Sequence, residues 1–253
     1  MALLSNRVVL VSGGTQGVGA AVARAAAREG ATVVVTGRRR EHGVALAAEL
    51  DGEYVPADVS DVESALASAQ TAIDRYGRID CLVNAAGLTS RGTLLDTTPE
   101  LFDQHIAVNL RGPFFLMQAA VRDMLRRGAP GTIVNIISSS ELGGQPYLAP
   151  YVAAKAGLAG LTRNAAHAHR FDRIRINGLD IGWTDTEGED ATQRAFHAAD
   201  DGWRERAAAA LPMGRLGQAG EIAEFVVLLL SPRSGVVTGS VIDWDQNVLG
   251  GLD

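Results

Sequence analysis

Short runs rich in valine and isoleucine alternate with longer alanine-rich stretches from one end of this 253-residue chain to the other. "RVVLVSGG", "ATVVVTG", "EYVPADV", "IDCLVNAAG", "GTIVNIISS", "IRINGLDIG" and "VVTGSVIDWD" read as strands. Between them lie segments of helical character, including "GAAVARAAAREG", Thr98 to Arg127, Pro150 to Arg170 and Glu189 to Ala210. Each return of a parallel strand needs a crossover, and a helix in every gap supplies it. The alternation therefore predicts an α/β fold, a doubly wound parallel sheet of about seven strands with helices on both faces. No Pro/Ser-rich seam, repeat or low-complexity tract interrupts it, so residues 1–253 are expected to form a single domain.

The turn after the first strand points to a ligand. In "SGGTQGVGA", Ser12 to Ala20, glycines permit a tight turn and close approach to a bound group. The helix that follows would offer free N–H groups to a phosphate. The spacing Gly13, Gly17, Gly19 is not G-x-G-x-x-G, and no Lys-Ser/Thr follows as in a nucleotide-triphosphate loop. Alone it is weak evidence, but its place between a strand and a helix adds weight over the alternative of a plain tight turn. A second feature is "YVAAK", whose Tyr151 and Lys155 share one face if the segment is helical. Free tyrosine, with a pKa of about 10, is a poor base, and a neighbouring ammonium favours its phenolate.

These motifs, with others in order, resemble the classical short-chain dehydrogenase/reductase family over nearly the whole chain. The resemblance implies a Rossmann-type fold and an NAD(P)-dependent oxidoreductase that interconverts a secondary alcohol and a ketone by hydride transfer. It assigns Tyr151 as acid/base, Lys155 as its partner and a cofactor ligand, Ser138 as the holder of the substrate oxygen, and Asn109 as the anchor of a relay water. Tyr151 follows Ser138 by the family's usual thirteen positions. Cofactor contacts are implied for Gly13, Thr15, Gln16, Gly17, Val18 and Gly19, for Asp58 and Val59, for Asn84, Ala85, Ala86 and Gly87, and for Gly182, Thr184 and Thr186. The four-residue spacing of Tyr151 and Lys155 disfavours the enoyl-reductase branch, where the two lie farther apart. A homotetramer is expected by analogy. The chain departs from the family at Ile181, where a proline is usual, and at Asp245-Gln246-Asn247, where Asp-Gly-Gly is usual.

Gly37 stands where NAD-specific relatives carry Asp, and Arg38 and Arg39 follow it, which favours NADP(H) with NAD(H) as the alternative. Gln16, where many NADP-preferring relatives have Arg or Lys, tempers that preference. The segment at about 183–212 is the expected substrate lid, and it is polar. Trp183, Glu141, Gln145 and Ser138 are the candidate substrate contacts, and a sugar or polyol is the expected substrate. Two other readings stay open: a non-catalytic NADP-binding redox sensor, and a reductase of apolar or acyl-carrier-bound ketones.

Net charge of −6 and a pI of about 5.4 give no electrostatic footprint for nucleic acid. No export signal or membrane-length apolar run is visible, so a cytoplasmic protein is expected. The single cysteine, Cys81, reads as buried core in a reducing compartment. No metal site is expected, because His167 and His169 would point to different sides and His42, His105 and His197 lack spaced partners.

Overall fold

The computed structural model describes residues 2–248; residue 1 and residues 249–253 of the expected domain lie outside the described residues. The first half contains β1 (Val8–Ser12), α1 (Gly17–Arg28), β2 (Thr32–Gly37), α2 (Arg40–Glu49), β3 (Glu53–Pro56), α3 (Val62–Tyr76) and β4 (Cys81–Asn84). Next come α4 (Pro99–Ile106), a π-helical turn (Ala107–Arg111), α5 (Gly112–Arg127), β5 (Gly131–Ile136), α6 (Ala149–His169) and β6 (Ile174–Ile181). The chain continues through β7 (Thr184–Asp185), α7 (Glu187–His197), α8 (Trp203–Ala209), β8 (Gly217–Gln218), α9 (Ala219–Leu230) and β9 (Val241–Trp244). Seven strands form one parallel sheet in the order β3-β2-β1-β4-β5-β6-β9, while β7 and β8 pair apart.

Side chains alternate across the sheet with a period of two. Val9 and Val11 of β1 join the core beneath α1 and α9, whereas Val8 and Leu10 join the core beneath α3, α5 and α6. Both faces are thus covered, as the near-continuous apolar strands require. Fully buried Leu10, Leu82, Ile133 and Ile176 each contribute about 1.5–3 kcal/mol relative to exposure. Strand order reverses beside β1, which opens a crevice at the carboxyl ends of β1 and β4. The loops carrying the sequence motifs converge there.

The opposite edge of the sheet is tied by charge. Asp80, wholly buried, accepts from the Val8 N–H at 2.9 Å and from Arg78 at 2.6 Å, with Arg127 at 3.7 Å. Asp123 accepts from the Ile79 N–H at 2.9 Å and from Arg126 and Arg127 at 2.6 and 2.8 Å.

Three elements differ from expectation. The helix expected over Glu189–Ala210 is two, because Ala198 turns left-handed (φ 49°) and the Asp200 carboxylate accepts from the Gly202 N–H. The last strand is confined to Val241–Trp244. The helical stretch ahead of β5 is interrupted by the π-helical turn that carries Asn109. Among the described residues no helix is long and apolar enough to cross a membrane.

Candidate active site

The loop between β1 and α1 has no room for side chains at two of its glycines. A Cβ on Gly13 (φ 72°) would sit 2.5 Å from the Ala86 backbone, and one on Gly19 would sit 2.2 Å from the Gly13 carbonyl oxygen. The first turn of α1 follows, with Gln16 as an N-cap whose side chain makes no capping bond. Its N–H groups are therefore left for a ligand. Gln16 Oε1, Thr36 Oγ1 and Asn84 Oδ1 are buried without partners among the described residues. Orphaned polar atoms beside an uncapped helix end fit an extended dinucleotide along this crevice. Thr15 is buried, Gly17 and Val18 open α1, and Thr186 stands over the loop, its Cγ2 3.7 Å from where a Gly17 Cβ would lie.

At the end of β2 a Cβ on Gly37 would lie 2.9 Å from the Thr15 side chain, so an acidic side chain there would have to displace Thr15. Arg38 and Arg39 beyond it are exposed, and Arg38 reaches to 3.9 Å from Asp58. Asp58 accepts from Ser60, and Val59 is buried. Asn84 donates to Asn135 Oδ1 at 2.8 Å, while the Ala85 N–H donates to the Ser12 carbonyl. Ala85 and Ala86 are half-buried, and Gly87 is exposed.

Tyr151 and Lys155 lie in the first half of α6, which Pro150 helps to start. Both are buried, and Lys155 Nζ stands 5.6 Å from the centre of the Tyr151 ring while donating to the Ile136 carbonyl at 2.8 Å. Burial pushes the phenol up to about 12, against the neighbouring Ser138 hydroxyl, which pulls it down. Burial also pulls the Lys155 amine down to about 8, against the charge of Asp180. Ser138 shares hydrogen bonds with Ser140, whose hydroxyl donates to Gln145 Oε1 at 2.7 Å.

A cavity of about 470 Å³ joins Ser138, Gln145 and Tyr151 to Gly182, Trp183 and Thr186. Thr184 lines it too and donates to the Gly182 carbonyl. Glu141 is not among the lining residues. Asn109 does not reach the cavity either: its side chain accepts from the Leu88 N–H and donates to the Leu88 carbonyl and to His105 Nδ1. The buried His105 directs Nε2 at the Ser90 carbonyl, and burial lowers its pKa, so the neutral ring can accept from Asn109.

Sequence reasoning missed two charged groups. Asp180, a lone acid in the apolar "INGLDIG", is 1% exposed with both oxygens unpartnered among the described residues, and on strand alternation it faces α6 with Ile174 and Ile176. Burial raises its pKa to about 7, reinforced by Glu141, Asp243 and Asp245 and countered by Lys155. Its signal was that single charge in a buried strand. Arg91, four residues past Gly87, also lines the cavity, and nothing in its spacing marked it. Gln246, at the departure from Asp-Gly-Gly, accepts from the Met213 N–H and donates to the Arg215 carbonyl, tying the segment after α8 to the tail.

A family model described as enoyl-(acyl carrier protein) reductase matches residues 13–247. An A-factor type gamma-butyrolactone 1'-reductase (1S-forming) of Streptomyces virginiae is 35% identical over 249 residues, covering 95% of this chain and 94% of its own. An L-rhamnose 1-dehydrogenase (NAD(P)(+)) of Azotobacter vinelandii is 34% identical over 94% of both chains. A solved structure from Sinorhizobium meliloti 1021, described as a candidate short-chain alcohol dehydrogenase, superposes with a TM-score of 0.86 at 34% identity over 96% of each chain. The chain belongs to the classical short-chain dehydrogenase/reductase family of oxidoreductases.

Proposed function

We propose that the protein interconverts a secondary alcohol and a ketone, with Tyr151 as the group that moves the proton at the substrate oxygen. The observation that carries this reading is the buried phenol and amine on one face of α6, beside Ser138 at a cavity wall. A bound nicotinamide supplies the chemistry of accepting or donating a hydride at carbon. In oxidation the alcohol loses that hydride from carbon and its hydroxyl proton to Tyr151; in reduction both are returned. With the phenol near 12 and the amine near 8, both groups hold their protons at neutral pH, which suits Tyr151 to donate to a ketone. Lys155 holds positive charge against the phenolate when Tyr151 gives up its proton. Ser138 orients the substrate oxygen. The neighbouring His105 and Leu88 hold the Asn109 side chain.

Arg38 and Arg39, with Gly37 crowded by Thr15, support a preference for NADP(H) over NAD(H). The whole chain acts as one catalytic unit with residues 183–212 as lid. The cavity's Ser138, Thr89, Gln145 and Gln193 support a polar substrate over an apolar ketone, and the carbonyl-against-enoyl choice rests on the Tyr151–Lys155 spacing. Replacing Tyr151 by Phe should lower turnover about 10²- to 10⁴-fold while sparing cofactor affinity. Nicotinamide absorbance and a cofactor titration read the two; full activity in the variant would overturn the assignment, and unaltered cofactor binding without turnover of any substrate by the natural protein would favour the sensor reading.

A further inference from the structure

Arg91 is the only arginine or lysine among the described residues lining the cavity. Its guanidinium is held entirely by neutral groups. One Nη donates to the Thr89 carbonyl at 2.8 Å, and Nε and the other Nη lie 3.2 and 3.1 Å from His197 Nε2. Guanidinium has no lone pair to offer, so His197 must present one at Nε2. The rings of Tyr147 and Phe196 lie 5.3 and 5.8 Å from Arg91 Cζ.

The arginines of the lid are arranged differently. Arg194 bridges Asp190 and Asp201, Arg204 bridges Asp185 and Asp190, and Arg206 bridges Asp200. Arg91 makes no such bridge among the described residues. These contacts use three of its five N–H groups and fix its orientation with no carboxylate to cancel its charge, so that one N–H on each Nη remains for an oxyanion. The acid that lines the cavity among the described residues, Glu189, is not bridged to Arg91 and accepts at Oε1 from Trp183 Nε1 and Gln193 Nε2, each 2.8 Å away. The charge of Arg91 also reaches Tyr151, whose phenol it pulls down.

Resting on the oxidoreductase reading above, we propose that the substrate carries a carboxylate seated on Arg91 while its carbinol or carbonyl carbon lies at Tyr151 and Ser138. The cavity of about 470 Å³ also borders Val18, Thr184 and Thr186, the expected cofactor contacts, so a bound nicotinamide would share its volume and the room left suits a small hydroxy or oxo acid. Matched pairs test this: gluconate against sorbitol, and 3-hydroxybutyrate against its methyl ester, each followed by nicotinamide absorbance with NADP and NAD. The acid of a pair should exceed its neutral partner in kcat/KM, and Arg91→Gln should cut that acid-to-neutral ratio at least tenfold, mainly through KM. Arg91→Lys should restore part of it. Preference for the neutral members by the natural protein would overturn the carboxylate site and leave the oxidoreductase reading standing. Equal loss for acid and neutral members in Arg91→Gln, without rescue by Arg91→Lys, would assign Arg91 a purely structural role and also overturn it. Silence of every pair in the natural protein would overturn the small-acid substrate, while the oxidoreductase reading is decided separately by turnover of other alcohols and ketones and its loss in Tyr151→Phe.

Discussion

Two buried aspartates, one toward each end of the sheet, are treated in opposite ways. Asp80, at the N-terminal edge, meets a backbone N–H and arginines, so its charge is compensated in place. Asp180, near the carboxyl end of β6, is as deeply buried, yet neither of its oxygens finds a partner among the described residues. Only Lys155 counters it, through space, while Glu141, Asp243 and Asp245 oppose its ionisation. Buried charge is tolerated when it is paired and hydrogen-bonded, and otherwise the group shifts its pKa. One edge therefore holds the fold together. The other keeps an unsatisfied acid beside the proposed proton-moving pair, where perturbed groups commonly gather.

The largest effect should come from breaking the satisfied end. Asp80→Ala strands the Val8 N–H and leaves Arg78 and Arg127 without their buried counter-charge. We expect a loss of about 4 kcal/mol, read from denaturant unfolding at pH 7. A loss below about 1 kcal/mol, the scale of an exposed ion pair, would remove the contrast.

At the other end, removing the charge should stabilise. The pKa of Asp180 is raised in the folded protein, from 3.8 to about 7. Between those values the folded state binds more protons than the unfolded, so stability falls as pH rises through the window. Asp180→Asn removes that fall. The variant's advantage should be smallest below about pH 4 and should widen by about 2–3 kcal/mol between pH 5 and pH 8. Unfolding curves at both pH values decide it, and a variant less stable at pH 8 would mean that Asp180 is paired after all.

Local pattern and contacts between distant elements were not equally legible in the sequence. Periodicity found all seven strands of the sheet because burial on both faces leaves a run such as "RVVLV" few alternatives. The "YVAAK" spacing carried Tyr151 and Lys155 to one face because a helix fixes that geometry locally. Asp180 and Arg91 depend on contacts between elements distant in sequence, which no local spacing encodes. The break at Ala198 was hidden for a related reason: alanine is the strongest helix former, and its left-handed turn is imposed by surrounding structure. The resemblance gave Asn109 in "VNL" a relay water to anchor, but the π-helical turn that sets its side chain against Leu88 and His105 was not legible there.

Cys81 supplies the smallest effect and the control for the other two. It follows Asp80 directly, pairs in register with Val9 and is buried, so Cys81→Ala removes a small apolar group from a close-packed layer. A loss of about 1 kcal/mol is expected. Burial pushes the thiol up to about 12, from 9.0. For an acid with a raised pKa, stability falls with pH only above its unfolded value, so nothing should change between pH 5 and 8. The Cys81→Ala difference should accordingly be flat over the range in which the Asp180→Asn difference rises. If both differences rose together, the slope would belong to the charge of the whole chain, and the separate treatment of Asp180 would lose its support.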